Sequence, residues 1–402
     1  MANAITAFDP EFWAKNMQEV FFKENVAISL ANTELRAQLP YGTVINKPYR
    51  SHPMVTDYTK GTDITVADRQ STNEYLTVDT TKIVPFYVDE LDRIHNKWNA
   101  AAVFAADGQR LLNNVLDQSV LAEYSNADSD VYNADIGGSG ATTAIPVTTS
   151  NAFSIFTAAA TKLSQNDIPP GKRFACIGPK MVETLRNTIA GRETTFGDSV
   201  GANGLIGNRF GFEVYQSNNI PFTATLTTSA AIANAETVVI NGCTFTFKDT
   251  LTGAAGEVYS GGTDADTTTQ LVAAVNGCRT GTEGTGNTYR LPTDANQWKV
   301  RKAGIVATDA TTTMTLVGYG DIAVSTTMAQ GANVWSAQQQ HLLFGMKGAT
   351  DLVTLVEPNV EFRTAEKRLG KYVYPWMHFG KKTFQDMAAA LVAVHVDASA
   401  WV

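Results

Sequence analysis

Apolar residues recur at helical intervals from residue 9 to 38, where Phe12, Met17, Val20, Phe21 and Ile28 fall in a row behind Asp9 and Pro10, a cap and first turn. The pattern predicts a helical arm. From Tyr41 to Val88 the texture changes to β-branched and aromatic runs at Thr43 to Ile45, Ile64 to Val66, Tyr75 to Val78 and Ile83 to Val88, separated by polar, turn-rich segments. Residues 50 to 72 are rich in Asp, Thr, Lys and Arg and poor in large apolar groups, so they cannot build a core of their own. A long two-stranded ribbon is expected here, and a ribbon of that kind is marginal unless it rests on something else.

From Asp89 the period is helical again, first with Leu91, Ile94 and Trp98, then with Leu112, Leu116, Val120 and Tyr124 in an i, i+4 row. Gly108 is the weak point, and one long helix or two separated near 97 to 106 both fit. A Gly/Ser/Ala/Thr connector from Ile136 to Thr149 leads to Ser150 or Asn151, either of which can cap a helix carrying Phe153, Phe156 and Leu163. Arg173 to Ile177 reads as a short buried strand. Gly178-Pro179 then opens a helix with Val182, Leu185 and Ile189. A glycine-rich loop over 191 to 211 precedes the strand Phe212 to Gln216.

Between about 226 and 333 the composition shifts to Thr, Ala and Gly. Strands are expected at Thr237 to Ile240, Thr244 to Phe247, Trp298 to Val300 and Thr313 to Val317, and a helix at Asp266 to Val275. Bracketed by two compositional breaks, this reads as a small, independently packed α+β domain inserted into a loop of the larger one. His341 to Met346, Leu352 to Val356, Tyr372 to His378 and the alternating Val392, Val394 and Val396 resume the main fold.

At 402 residues the chain exceeds one ordinary core, so two or three units are expected. Only 17% of its residues are charged, which suits a surface covered by further copies of itself. The balance of 31 basic against 39 acidic residues has the wrong sign for gripping phosphate. No leader-like start and no run of about 18 apolar residues occurs, so the expectation is a soluble cytoplasmic product with no membrane partner.

Candidate chemistry is sparse. Cys176, Cys243 and Cys278 show no CxxC spacing and read as packing residues, a Cys243 to Cys278 bridge being the alternative. The histidines 52, 95, 341, 378 and 395 have no metal-like spacing, and His95 and His395 read as structural. GxSxG and GxxxxGK[ST] are absent. The acid pairs Asp89 with Glu90 and Asp264 with Asp266 are more simply a helix start and a solvated loop. No catalytic, cofactor-binding or metal-ligating set is expected, and the chain does not read as an enzyme.

Several phrases, in their order, carry a resemblance: YGTVINKPYRS at 41 to 51, KIVPFYVDELDRI at 82 to 94, GFEVYQSNNIP at 211 to 221 and YVYPWMHFGKKTFQDMAAALVAVHV at 372 to 396. Together they resemble the tailed-bacteriophage major capsid protein family with the Hong Kong 97-type fold. The resemblance implies an α+β subunit with an N-terminal arm (1–41), an extended loop (42–86), a peripheral domain with the long helix (87–149), an axial domain (150–225), the insertion (226–333) and a return of both domains (334–402). It implies assembly with itself as pentamers and hexamers into an icosahedral head, with a scaffolding protein, a portal and room for a decoration protein, around double-stranded DNA contacted weakly. The expected location is the virion, assembled in the host bacterial cytoplasm.

The intersubunit candidates are the charged residues of the ribbon: Lys60, Asp63, Asp68, Arg69 and Glu74. Lys60, followed by Gly61, sits where the ribbon should turn. Some members of the family join a loop lysine to a neighbour's asparagine, but no motif gives Lys60 that role, and a solvated surface lysine is the reading adopted. Two other functions remain open on sequence alone. One is an encapsulin-like bacterial compartment shell of the same fold. The other is a hydrolase or carbohydrate-binding protein using the Thr-rich insertion, which would need a polar cleft with perturbed acids.

Overall fold

The computed structural model describes residues 22–39, 41–50, 55–64, 71–91, 100–190, 208–228, 232–286, 288–328, 333–366 and 368–399. The first half of the expected arm lies outside the described residues. The rest is not α-helical: Ala27–Leu30 and Glu34–Gln38 are short 3-10 turns. Its backbone is committed to the body instead. The carbonyls of Leu30 and Asn32 accept from Gly348 and Leu352 at 2.8 and 2.9 Å, and the amides of Val26 and Ala27 donate to Asp117 Oδ1 at 2.7 and 2.6 Å.

Strand β1 (Val44–Arg50) pairs antiparallel with β2 (Ser71–Thr77), with Val44 opposite Thr77 and Arg50 opposite Ser71. Two short strands, β3 (Thr80–Ile83) and β4 (Phe86–Asp89), follow. Helix α1 spans Ala100–Leu121 without a break at Gly108. A Cβ there would stand 2.6 Å from Pro375 Cγ, so the glycine lets the helix lie close against its neighbour. Leu112, Leu116 and Val120 of the expected row are buried, while residues 92–99 lie outside the described set.

Next come β5 (Ser129–Val131), α2 (Ala152–Gln165), β6 (Arg173–Ile177), α3 (Pro179–Ala190), β7 (Asn208–Arg209), β8 (Phe212–Gln216) and β9 (Pro221–Thr227). Asn151 does stand before α2, but its side chain accepts from Thr148 N and donates to Pro146 O, bracing the preceding loop and leaving the helix amides to other partners. All five residues of β6 are buried, as an internal strand with helices over it requires.

The segment after β9 holds β10 (Thr237–Ile240), β11 (Cys243–Lys248), β12 (Glu257–Tyr259), α4 (Asp264–Thr280), α5 (Asp294–Lys302), β13 (Val306–Ala310), β14 (Thr313–Tyr319) and β15 (Val324–Thr326). Thr263 and Asp266 form a capping box at the start of α4, two residues earlier than expected. Trp298 to Val300, read as a strand, lies inside α5. Asp294 in its first turn and Lys299, Arg301 and Lys302 in its last complement the helix dipole, and Gln297 and Val300 share its buried side.

Three long strands and a shorter one complete the body: β16 (Val334–Met346), β17 (Thr350–Thr364), β18 (Gly370–Thr383) and β19 (Leu391–Asp397). β16 pairs with β9 through its first half, with β6 through its last residues, and with β19 from Gln339 to Gly345 along the other edge. β17 and β18 form a long antiparallel pair that β3 and β4 extend.

Two large cores result. The first gathers α1, α2, α3 and the centre of the main sheet, with Phe156, Phe212 and Phe344 packed edge to face at centroid distances of 5.2 to 6.2 Å. The second belongs to the segment after β9 but also takes in Phe222, Ala224 and Leu226 of β9 itself. β14 pairs with β9 along its whole length, so the segment from 226 to 333 packs as an outgrowth of the main sheet and does not stand free of it. The unit that composition marks off has a core of its own, joined to the body through β9.

Asp117, wholly buried on α1, fastens these parts. Besides Val26 and Ala27 it accepts from Asn219 Nδ2 at 2.9 Å. Burial raises its carboxyl pKa, and the bonds from Asn219, Ala27, Val26 and Ile28 pull it back. Replacing Asp117 by Ala should leave at least three buried donors unpaired and cost about 2–4 kcal/mol in urea unfolding. Limited proteolysis should then cut near residues 22–31; an unchanged cleavage pattern would show that the segment is held by other contacts.

Candidate intersubunit surface

The ribbon of β1 and β2 stands on a third, small core in which Ile45, Leu76 and Val78 meet Leu39, Val353 and Phe384. Lys47 Nζ lies 3.4 Å from Asp351 Oδ2 and 4.5 Å above the Phe384 ring. Burial pushes the Asp351 carboxyl up, with Lys47 and Asn32 opposing the shift. Seven-residue strands rise about 23 Å, so the ribbon leaves its footing well behind. Every residue from 55 to 64 is exposed, and the turn there is closed by Thr62 N donating to Thr59 O at 3.2 Å, with Gly61 at φ +90°.

The five charged candidates do not form one set. Lys60 and Asp63 are exposed at this turn, and Asp68 and Arg69 lie outside the described residues. Glu74 is a different case. It sits in β2 opposite Lys47, 3.5 Å from Lys382 Nζ, and accepts from Gln385 N, so its charge is satisfied inside its own chain. We therefore remove Glu74 from the contact candidates.

The residues that stand out at the tip are apolar. Val55, Tyr58 and Ile64 are 94%, 66% and 71% exposed. They interrupt a polar stretch singly, which hides them from a pattern search. A second exposed apolar region lies on the sheet of β17, β18 and β3, where Thr81, Ile83, Glu361, Arg363, Tyr374 and Trp376 line an open hollow of about 370 Å³.

No protein-family model matches the chain, and no curated protein matches it. Solved structures do. A structure from Mycobacterium phage Che8 superposes with a TM-score of 0.59 at 15% identity, covering 97% of this chain and 98% of that one. The capsid structure of the cyanophage P-SCSP1u gives 0.55 at 12% identity, covering 98% and 95%. The asymmetric unit of the bacteriophage PhiM1 mature capsid gives 0.50 at 11% identity, covering 97% and 92%. At such identities the likeness is one of fold, and it runs almost from end to end. The chain has the fold of phage capsid subunits, and an overlap this complete takes in most of the segment between 226 and 333.

The fold also assembles a polar chain that no spacing along the sequence announces. His341 and His395 are direct partners across β16 and β19. Their Nδ1 atoms are 2.7 Å apart, His395 Nε2 is 2.9 Å from Asp130 Oδ1, and His341 Nε2 is 2.8 Å from Thr223 Oγ1. With both rings neutral, a carboxylate that only accepts puts the His395 proton on Nε2 and the His341 proton on Nδ1, and the Thr223 hydroxyl then donates to His341. Tyr124 stacks on His341 at 4.2 Å and Tyr132 on His395 at 4.4 Å. His95 lies outside the described residues.

Burial, helped by His395, pushes the His341 pKa down to about 3. The unfolded chain takes up a proton near 6.5 that the folded chain refuses. The stability tied to this residue is therefore complete above about pH 6.5 and falls as the pH drops towards 3. By pH 4 the loss should reach about 3 kcal/mol. Urea midpoints measured at pH 7, 5.5 and 4 should fall more steeply for the parent than for His341→Gln; parallel falls would show that other groups set the acid limb.

Proposed function

We propose that this chain is the major capsid protein of a tailed bacteriophage, a structural protein that assembles with itself into the icosahedral head enclosing double-stranded DNA. The observation that carries this reading is the fold held in common, over nearly the whole chain, with the P-SCSP1u and PhiM1 capsid structures. Pentamers and hexamers are the expected units, completed by a portal and built on a scaffolding protein. The location is the virion, after assembly in the host cytoplasm. The net charge of -8 suits a loose, sequence-independent contact with the packaged DNA.

In this reading the ribbon is the lateral clamp. Its base is rooted in its own subunit, and its tip reaches a neighbour with Val55, Tyr58 and Ile64 as apolar contacts and Lys60 and Asp63 as charged ones. An exposed ion pair contributes only about 0–1 kcal/mol, whereas burying one such apolar side chain contributes about 1.5–3 kcal/mol. The apolar tip therefore dominates each contact. Repetition around a closed shell then sums many weak contacts into a strong one.

Replacing residues 54–70 by a short Gly/Ser turn should leave a folded, soluble subunit, because none of the residues described in that stretch, 55–64, belongs to any of the three cores. Electron microscopy should then show no heat-stable shells. Particles as heat-resistant as those of the parent would remove the ribbon from the role of clamp.

A further inference from the structure

Helix α1 buries one side, with Leu112, Leu116 and Val120 in the first core and Gly108 against Pro375. A second apolar stripe runs along the neighbouring side. Val103, Phe104 and Leu111 fall within about 100° of one another around the helix axis, and they are 41%, 44% and 37% exposed. Phe104 touches the Phe86 ring edge to face at 5.9 Å, which still leaves nearly half of it open.

The same side of α1 carries Arg110 and Asp117, which stand with Val103 in one line at steps of seven residues, close to two helical turns. The segment before β1 already holds two of these three positions. Val26 and Ala27 donate to Asp117 Oδ1, and two turns further down the Arg110 guanidinium lies over the Phe22 ring, 5.6 Å from its centroid. From Ala27 back to Phe22 the chain therefore travels beside α1 towards the start of the helix. The next position on that line is Val103, about 10 Å beyond Arg110. An extended chain covers this distance in about three residues and a helical one in about seven. In either conformation residues 15 to 19 come level with Val103. Residues 1–21 lie outside the described residues, and their sequence puts Phe12, Met17, Val20 and Phe21 around that level.

We propose that the stripe of Val103, Phe104 and Leu111 is the docking site of residues 12–21 of the same chain, which cover the first half of α1 as residues 22–27 hold the second. The occupant is apolar and tethered at Phe22, directly beside its site. A tether that short gives a high effective concentration, so a few apolar contacts are enough to hold it. The inference needs only the folded chain and stands independently of shell assembly.

The test uses the full-length soluble protein with the photo-crosslinking amino acid p-benzoylphenylalanine in place of Val103, irradiated and then digested. Peptide mapping should join position 103 to a residue between 12 and 21, in a product of single-chain mass. A product of twice that mass would give the stripe to a second copy and overturn the proposal, as would crosslinks to other parts of the chain or none at all. Hydrogen exchange supplies a second readout with the stripe unaltered. In a chain lacking residues 2–21 the amides of residues 102–111 should exchange about tenfold faster than in the parent, while those of 112–121 keep their rates. Equal rates at 102–111 in the two chains would overturn the proposal too. If the shortened chain fails to fold, the crosslink in the full-length protein decides alone.

Discussion

The main sheet of this chain hangs on the backbone ladder of β16. A buried strand must pair its amides and carbonyls on both edges, and β16 does so with β9 and then β6 on one side and with β19 on the other. β9 is the partner up to Gln340 and β6 from Leu343, and an irregularity lies within the β9 ladder between Ser336 and Gln339, where Ala337 adopts a positive φ of 47°. A bulge there bends the strand as it passes from one core to the other. At its far end Gly345 admits the Ala390 carbonyl, which would stand 2.6 Å from any Cβ. The two cores therefore share one continuous sheet, each drawing strands from it.

Much of this was legible in the sequence where a local pattern and a buried face coincide. β6, α3, β10 and β14 lie where apolar spacing and turn residues put them, because each buries the side its own period defines. Trp298 to Val300 was misread because two residues of high strand propensity around Lys299 cannot reveal a period, and the segment lies inside α5. The second core reaches back to Phe222, Ala224 and Leu226 of β9, which the compositional break near 226 does not mark.

The candidate surface was legible in outline and blurred in its residues. Composition marked 50 to 72 as coreless, and residues 55 to 64 are indeed exposed throughout. Charge alone did not distinguish Lys60 and Asp63, exposed at the turn, from Glu74, which bonds inward to Lys382 and Gln385. Pairings across a ladder are equally invisible in one dimension. His341 and His395 are 54 residues apart in the chain and 2.7 Å apart in space, and only the register of β16 with β19 relates them.

The Asp117 carboxylate joins two things that the chain keeps far apart, the segment at Val26 and Ala27 and the loop at Ser217 and Asn219 from which β9 departs. A single acid shared between two loops makes their positions thermodynamically linked. Whatever draws the early segment away loosens the start of the β9 outgrowth, and whatever displaces that loop weakens the hold on the early segment by the same free energy. A partner that bound one of them would be felt, without touching it, by a partner that bound the other.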